Sequence, residues 1–236
     1  MKLASIIPVQ SKHLMYLGNY EMLLAHLANE YPACTNKNCY KIMDNSLIEL
    51  GGAVSIEQVI NAANRCNADE IILPDVYKDG PATLISVCKN IEWLRDHNLL
   101  GRFRLMAVCQ GKDVDEFIET FHQLKNIPEI HCIGIPKVCS TLWSAGRPGF
   151  EFLWLNNCTK NIHLLGVWST MQELLEYKNP QLIRSVDTCI PALLSMYTDY
   201  AWYHRPSETI DLKTDVVNSD HYFTILKTLS QEGIEL

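Results

Sequence analysis

The feature that most constrains the fold is a regular alternation of short apolar runs with longer stretches of helical spacing. Seven runs of four to eight residues are rich in apolar side chains, and each ends at a polar residue or a turn sequence. Several are apolar on both faces, which is typical of strands in a parallel sheet covered by helices. The seven predicted strands are Ala4–Val9, Lys41–Asp44, Glu70–Val76, Arg102–Cys109, Glu129–Ile135, Asn161–Val167 and Ile183–Asp187.

Segments with helical spacing lie between these strands, and most carry a local start or stop signal. Ser55 is a predicted N-cap, Pro81 lies in the first turn of another helix, and Pro32 ends a third. The predicted helices are Tyr20–Glu30, Ser55–Arg65, Asp79–His97, Asp113–Leu124, Met171–Tyr177 and Ala192–Tyr200, and residues 140–157 are predicted to form a loop followed by a helix.

Strands that alternate with helices predict an α/β fold. The sequence has no GxGxxG and no Walker A motif, so the common reasons for an open nucleotide-binding sheet are missing. We therefore expect a (β/α)8 barrel of the TIM type rather than an open doubly wound sheet. Its eighth strand is expected in Thr209–Val217, which is short and charged, so an irregular closure of the barrel stays open. No repeat or linker divides the chain, which predicts a single domain over residues 1–236 with a helical extension at 207–236.

Composition narrows the class of protein. The net charge of −7 argues against a surface built for bulk nucleic-acid binding, although a local basic rim remains compatible with it. The nine cysteines are scattered and form no CxxC pair, and those in apolar runs (Cys88, Cys109, Cys132) predict reduced core residues. This use of cysteine predicts a reducing cytoplasm. No apolar run approaches ~18 residues, so we also expect no membrane partner.

Polar residues follow the predicted strands at their carboxyl ends. In a barrel these ends converge on one mouth, where ligands bind. Three carboxylates facing one cavity would repel each other, so at least one should have a raised pKa. Each aspartate alone could also be a turn or cap residue. The strand-end residues are Gln10, Asp44, Asp75, Gln110, Lys137 and Asp187, with Gly134 inside the last turn of its strand.

The order of these motifs resembles the tRNA-guanine transglycosylase family, especially its compact phage and bacterial relatives that insert 7-deazaguanines into DNA. The resemblance covers about residues 1–206. Its elements are Asp44-Asn45-Ser46 for a DSGGFQ-like loop, Asp75 in ILPDV, Gln110 in AVCQG for a VQG segment, Gly134 in CIGIP, and HLLGVWSTMQELL followed by Asp187 in SVDTCIP.

Two departures from the family pattern affect the expected substrate. The tRNA enzymes carry three cysteines and a histidine as a zinc site after the nucleophile, whereas here only Cys189, His204 and His221 follow Asp187. Asn45 and Ser46 also replace the glycines of the first aspartate loop. We therefore expect no zinc subdomain, no metal site and no cofactor, with DNA as the polymer partner and tRNA as the alternative.

The resemblance implies a role for each motif residue. Asp187 would be the nucleophile that forms a covalent glycosyl intermediate, and Asp44 would be the general acid and base. Asp75 would accept from the donor edge of the purine, while Gln110 and the Gly134 amide would address its O6 side.

The reacting base must leave its stack, so we also expect phosphate and stacking contacts around the mouth. Solvated loop charge and ordinary packing are the competing interpretations of these residues. The candidate phosphate contacts are Lys12, Lys112, Lys137 and Arg147, and the candidate stacking residues are Tyr77, Trp143 and Trp168.

The sequence predicts a transglycosylase (pentosyltransferase) that exchanges guanine for a 7-deazaguanine derivative, such as 7-cyano-7-deazaguanine, in DNA. Three alternatives stay open: the same exchange on tRNA, a metal-dependent barrel hydrolase or lyase that uses the aspartates, and an inactive base-binding module. An oligomer is compatible with all of them.

Overall fold

Eight parallel strands close into one barrel in the computed structural model, which describes residues 1–31, 39–155, 158–167, 170–197, 201, 203 and 208–235. Each strand pairs with its neighbours in chain order, and β8 pairs with β1 in the register Ala4↔Asp187. The predicted TIM-type barrel is therefore confirmed. The strands are β1 Lys2–Ser5, β2 Tyr20–Leu24, β3 Tyr40–Asp44, β4 Glu70–Ile72, β5 Arg104–Val108, β6 Ile130–Pro136, β7 Asn161–Leu165 and β8 Ser185–Thr188.

The second strand corrects the sequence prediction. Residues 20–30 were predicted to be helical, but Tyr20–Leu24 is a strand paired with both β1 and β3, and Ala25–Leu27 forms one 3-10 turn. The strand is buried on both faces, so its run of Met22, Leu23 and Leu24 shows no period-2 alternation. The eighth strand was consequently expected in the wrong place: the described residues of Thr209–Val217 form loop and turn, and β8 closes the barrel.

The longer helices lie close to their predicted positions because local caps specify their starts. The Ser55 hydroxyl and the Gln58 side chain form a reciprocal capping box, while Asp79 and Asp113 each accept a backbone N–H from the first turn of their helix. The helices are α1 Leu47–Leu50, α2 Ile56–Cys66, α3 Gly80–Asp96, α4 Val114–Lys125, α5 Phe152–Leu155, α6 Ile190–Ser195 and α7 Ser219–Gln231.

Several shorter segments form 3-10 helices. Residues 171–177 were predicted to be an α-helix, but Met171–Leu175 is 3-10. Part of the predicted loop after β6 is also 3-10, and the helix after it is the single turn α5. The further 3-10 segments are Val9–Leu17, Lys137–Thr141, Arg147–Glu151 and Pro180–Leu182.

The barrel interior is layered. At the amino end, Arg184 pairs with Glu70 at 2.8 Å, and the Tyr40 hydroxyl donates to the same carboxylate at 3.0 Å. An apolar layer lies above this ion pair, and the carboxyl end opens into a cavity. The apolar layer contains Ala4, Met22, Ile42, Ile72, Met106, Val108 and Cys132.

Both ends of the described chain lie at the amino end of the barrel. Glu235 forms a bridge with Lys2 beside β1: the Leu3 N–H donates to the Glu235 carbonyl at 2.8 Å, and the Glu235 N–H donates to the Met1 carbonyl at 2.9 Å. The predicted C-terminal helical extension contains α7, which packs on α6. Among the described helices none is long and apolar enough to cross a bilayer.

The described cysteines are all free thiols. Cys109 and Cys132 are buried in the core, as predicted. Cys88 was expected there as well but is exposed on α3.

Candidate functional site

A cavity of about 390 Å³ occupies the carboxyl end of the barrel. This volume lies within the range of small-molecule sites, about 300–1,000 Å³. Five of the predicted site residues line it: Asp44, Asp75, Gln110, Lys137 and Asp187. The other four, Lys12, Lys112, Gly134 and Arg147, do not line it.

Asp75 is held between two side-chain amides. Asn45 Nδ2 donates to Asp75 Oδ1 at 2.7 Å, and Gln110 Nε2 donates to Asp75 Oδ2 at 2.7 Å. Gln110 is fixed in turn, because its Oε1 accepts the Lys78 N–H at 3.0 Å. Burial raises the pKa of Asp75, and the two amide donors oppose that rise. The cap interpretation of Asp75 is wrong, since Asp79 caps α3.

Asp187 is anchored through one oxygen. His163 Nε2 lies 2.9 Å from Asp187 Oδ1, and the Gly166 N–H donates to the same oxygen at 3.2 Å. Within the described residues Oδ2 accepts no hydrogen bond, and Asp187 lines the cavity. The helix that follows has Cys189 at its N-cap, and the Thr188 hydroxyl oxygen accepts the Ile190 N–H at 3.1 Å. Asp187 is therefore not needed there as a cap.

Asp44 lies in a tight loop at the end of β3. Its Oδ2 accepts the Ser46 N–H at 2.7 Å, and Ser46 adopts a left-handed conformation with φ 61°. Burial holds the pKa of Asp44 well above its usual value, and the neighbouring Glu49, Asp187 and Asp75 raise it further. The raised pKa of Asp44 agrees with the expectation that at least one of the converging aspartates has a raised pKa, and Glu49 adds a cause that was not expected.

Glu49 adds a fourth carboxylate that sequence reasoning missed. It lies on α1 and is exposed, yet it also lines the cavity. Burial raises the pKa of Glu49, the Asp187 charge adds to that rise, and Lys137 opposes it.

Gly134 does not occupy its expected place. It lies inside β6, paired with both neighbouring strands, and its carbonyl accepts the Cys109 N–H at 2.8 Å. A Cβ at this position would lie 2.8 Å from Leu165 Cδ1. The glycine therefore makes room for Leu165, which lines the cavity, and the predicted backbone contact to a base is not supported at this position.

Arg147 is buried, which contradicts its predicted place on a phosphate-binding rim. Its side chain is 0% exposed and pairs with Glu173 at 2.7 Å. The guanidinium also donates to the carbonyls of Ile135, Leu165 and Gly166 at 2.8–3.1 Å. Arg147 thus clamps the ends of β6 and β7 together, directly beside the backbone that contacts Asp187.

The three predicted lysines differ in their relation to the cavity. Lys137 is exposed and lines the mouth, where it passes over Gly166; a Cβ on that glycine would lie 2.9 Å from Lys137 Cδ. Lys112 is exposed but pairs with Glu116 at 3.0 Å, and Lys12 is exposed on the 3-10 helix after β1. Lys78, which the sequence reasoning did not select, also lines the mouth.

The predicted stacking residues also differ in whether they line the cavity. Tyr77 is 48% exposed and lines the mouth. Trp143 is 38% exposed but packs against Phe150 and Phe152 and does not line the cavity. Trp168 and His204 lie outside the described residues.

His163 is the main functional candidate that the sequence did not reveal. It lies in the middle of an apolar strand, where a histidine is usually read as a core residue. One signal was present: in β7 it has the same inward orientation as Leu165 at the strand end, and β7 adjoins the strand that carries Asp187.

Within the described part of the chain, no group of three or more His, Cys, Asp or Glu side chains is arranged to hold a metal ion.

Comparisons with known proteins give no assignment. No model of a known protein family matches the sequence. A search of curated proteins likewise finds no match.

Proposed function

We propose that this protein is a base-exchanging transglycosylase, which replaces guanine in DNA by a 7-deazaguanine derivative through an aspartyl-glycosyl intermediate. The observation that carries the proposal is one cavity that holds two carboxyl groups suited to different roles, one to donate a proton and the other to attack as a nucleophile. Asp44 has a strongly raised pKa, whereas Asp187 has one oxygen anchored by two N–H groups. Double displacement at a glycosidic carbon requires such a proton donor and such a nucleophile.

The first half-reaction uses the two aspartates in sequence. Asp187 Oδ2 forms a bond to C1′ while the bond from C1′ to guanine N9 breaks. The electron pair of that bond stays on the departing base, and the Asp44 carboxyl group supplies the proton that neutralises it. Asp44 suits this role because a carboxyl group must have a raised pKa to donate a proton near neutrality.

The second half-reaction reverses these roles. The Asp44 carboxylate takes the N9 proton of the incoming base, and N9 attacks C1′. The ester bond to Asp187 then breaks, and its electron pair returns to the carboxylate. No redox step occurs.

Asp75 is the proposed reader of the purine edge, and the Asn45 and Gln110 amides hold its carboxylate in place. Each Asp75 oxygen already accepts one amide N–H, and a carboxylate oxygen has a second lone pair for a ligand. Guanine and 7-deazaguanines offer an N1–H and an exocyclic amine to such acceptors. Adenine presents an acceptor at N1, so it would leave the buried carboxylate poorly paired.

The mouth supports a polymer that presents a displaced base. Lys137 and Lys78 line it together with the exposed ring of Tyr77. Cations and an aromatic ring are the side chains that single-stranded or flipped nucleotides bind. The loss of the zinc motif, relative to the family that the sequence resembles, favours DNA over tRNA in this proposal.

The deciding experiment measures exchange of radiolabelled guanine into DNA and into tRNA, with and without 7-cyano-7-deazaguanine. Wild type is compared with Asp187→Asn, Asp44→Asn and the matched control Asp115→Asn, an exposed aspartate on α4. We expect exchange in DNA for wild type and the control. Asp187→Asn should abolish both exchange and the covalent adduct seen by intact-protein mass spectrometry, and Asp44→Asn should slow exchange by about 10²–10⁴-fold.

Each other outcome would refute part of the proposal. Exchange in tRNA alone would show that tRNA, and not DNA, is the polymer substrate. Near-normal exchange by Asp187→Asn would show that Asp187 is not the nucleophile. Hydrolysis or elimination that stops with a chelator would favour the metal-dependent alternative. Base binding without exchange in either polymer would favour the inactive module.

A further inference from the structure

A column of buried hydrogen bonds runs from the amino end of the barrel to Asp187. Arg184 Nε donates to Ser185 Oγ at 3.1 Å, and Ser185 Oγ lies 2.7 Å from His163 Nδ1. His163 Nε2 then lies 2.9 Å from Asp187 Oδ1. Ser185 and His163 are 0% exposed, so the column is closed to solvent at these positions.

The proton at the upper end of this column is set by Asp187, because a carboxylate oxygen can only accept a hydrogen bond. His163 Nε2 lies 2.9 Å from that oxygen, so the geometry directs an Nε2–H at Asp187. Arg184 can only donate, so Ser185 Oγ accepts its N–H and the serine proton is available to His163 Nδ1. Burial lowers the pKa of His163, and the contact with Asp187 opposes that fall.

The opposite tautomer would be unfavourable at the Asp187 end. With the proton on Nδ1, the Nε2 lone pair would face the Asp187 oxygen at 2.9 Å, and acceptor would meet acceptor. At the other end, Arg184 is held by Glu70 at 2.8 Å, which keeps its Nε–H on Ser185 Oγ.

We infer that His163 is the positioning residue of the nucleophile: its Nε2–H, together with the Gly166 N–H, holds Asp187 Oδ1 and thereby assigns Oδ2 as the oxygen that attacks C1′. This inference rests on the proposed function. His163 lies outside the lining of the cavity, so it acts through Asp187 and transfers no proton to the base.

The first test measures the tautomer of wild type and needs no substrate. Nitrogen-15 NMR of imidazole-labelled protein distinguishes a neutral ring protonated at Nε2 from one protonated at Nδ1. The His163 signal is assigned by its loss in His163→Gln. We expect the Nε2–H form at pH 7, and either the Nδ1–H form or a doubly protonated ring would overturn the inference.

The second test separates positioning from folding and from base binding. His163→Gln keeps an N–H donor near Asp187, His163→Leu removes it, and His122→Gln on the exposed face of α4 is the control. Single-turnover formation of the glycosyl adduct should fall by about 10²-fold in His163→Leu. His163→Gln should restore most of that loss, and guanine affinity should stay within about 3-fold.

Ser185→Ala keeps the proposal falsifiable if His163→Leu does not fold, because it removes only the hydroxyl that pairs with His163 Nδ1. The ring should then be held less firmly against Asp187, and adduct formation should slow. An unchanged rate of adduct formation would overturn the inference. If wild type exchanges no base in any polymer, the proposed function fails while the NMR result still decides the His163 tautomer. If wild type exchanges bases and His163→Leu does so at the same rate, the inference fails and the function stands.

Discussion

Replacing Arg147 by methionine should destabilise the whole barrel, because the guanidinium is a buried clamp. The change keeps a flexible, unbranched apolar chain but is shorter and removes every donor. Glu173 loses an ion pair of 2.7 Å, and the carbonyls of Ile135, Leu165 and Gly166 lose their N–H partners. The side chains of Arg147 and Glu173 are 0% and 7% exposed, so water cannot easily replace what is lost.

The expected loss in the free energy of unfolding is about 3–5 kcal/mol, the usual cost of removing one partner of a buried ion pair. This corresponds to a folding equilibrium constant lower by between two and four powers of ten, since every ~1.4 kcal/mol is tenfold. Urea unfolding followed by circular dichroism measures this loss, provided that the dependence of the unfolding free energy on urea concentration has the same slope in the variant and in wild type. Arg95→Met is the matched control: Arg95 pairs with Glu129 at a similar 2.8 Å but is 53% exposed, so its loss should cost about 0–1 kcal/mol.

The double variant Arg147→Met with Glu173→Gln tests the cause of the loss. Neutralising the buried carboxylate should recover part of the stability if an uncompensated charge is the source. The reasoning fails if Arg147→Met costs no more than Arg95→Met. A variant of normal stability that bound DNA more weakly would instead restore the rim interpretation.

Two further predictions concern other buried carboxylates. Glu21 is 1% exposed, and burial raises its pKa from 4.5 to about 7, so stability should fall as pH rises between these values. Glu21→Gln should remove this dependence. At ~1.36 kcal/mol per pKa unit, its free energy of unfolding should exceed that of wild type by about 3 kcal/mol at pH 8 and nearly equal it at pH 4. Parallel pH profiles of the two proteins would contradict this. Asp75→Asn should weaken guanine binding by about 1–3 kcal/mol in calorimetry, because an amide has one acceptor oxygen and cannot accept from Asn45, Gln110 and the guanine donors together. Unchanged affinity would remove Asp75 from the purine pocket.

Helix starts were predictable because their signals are local. Ser55, Asp79 and Asp113 each cap a helix within four residues of their own position, so neighbouring sequence contains the whole signal. The strand Tyr20–Leu24 was not predictable in this way. Met and Leu favour helices in isolation, and only pairing with two neighbouring strands and burial of both faces make this segment a strand.

The candidate site was predictable where topology alone decides position. Parallel strands in a barrel bring their carboxyl ends together, so Asp44, Asp75 and Asp187 reach one cavity whatever their detailed contacts.

Side-chain direction after a strand was not predictable. Arg147 follows a long connection, and whether it faces solvent or folds back on β6 depends on Glu173 and on carbonyls contributed by distant residues. His163 was overlooked for a related reason: its importance depends on the register between β7 and β8, which no single segment encodes.

The meeting of Met1 and Glu235 beside β1 determines how the protein can be handled and rearranged. The two ends of the described residues lie at one pole of the barrel and the cavity opens at the other, so a tag or a fused partner attached there would leave the mouth unobstructed. The same adjacency makes circular permutation feasible: a short peptide could join the ends, and new ends could be opened elsewhere. The protein could thus be immobilised by its base with the opening directed toward a long polymer.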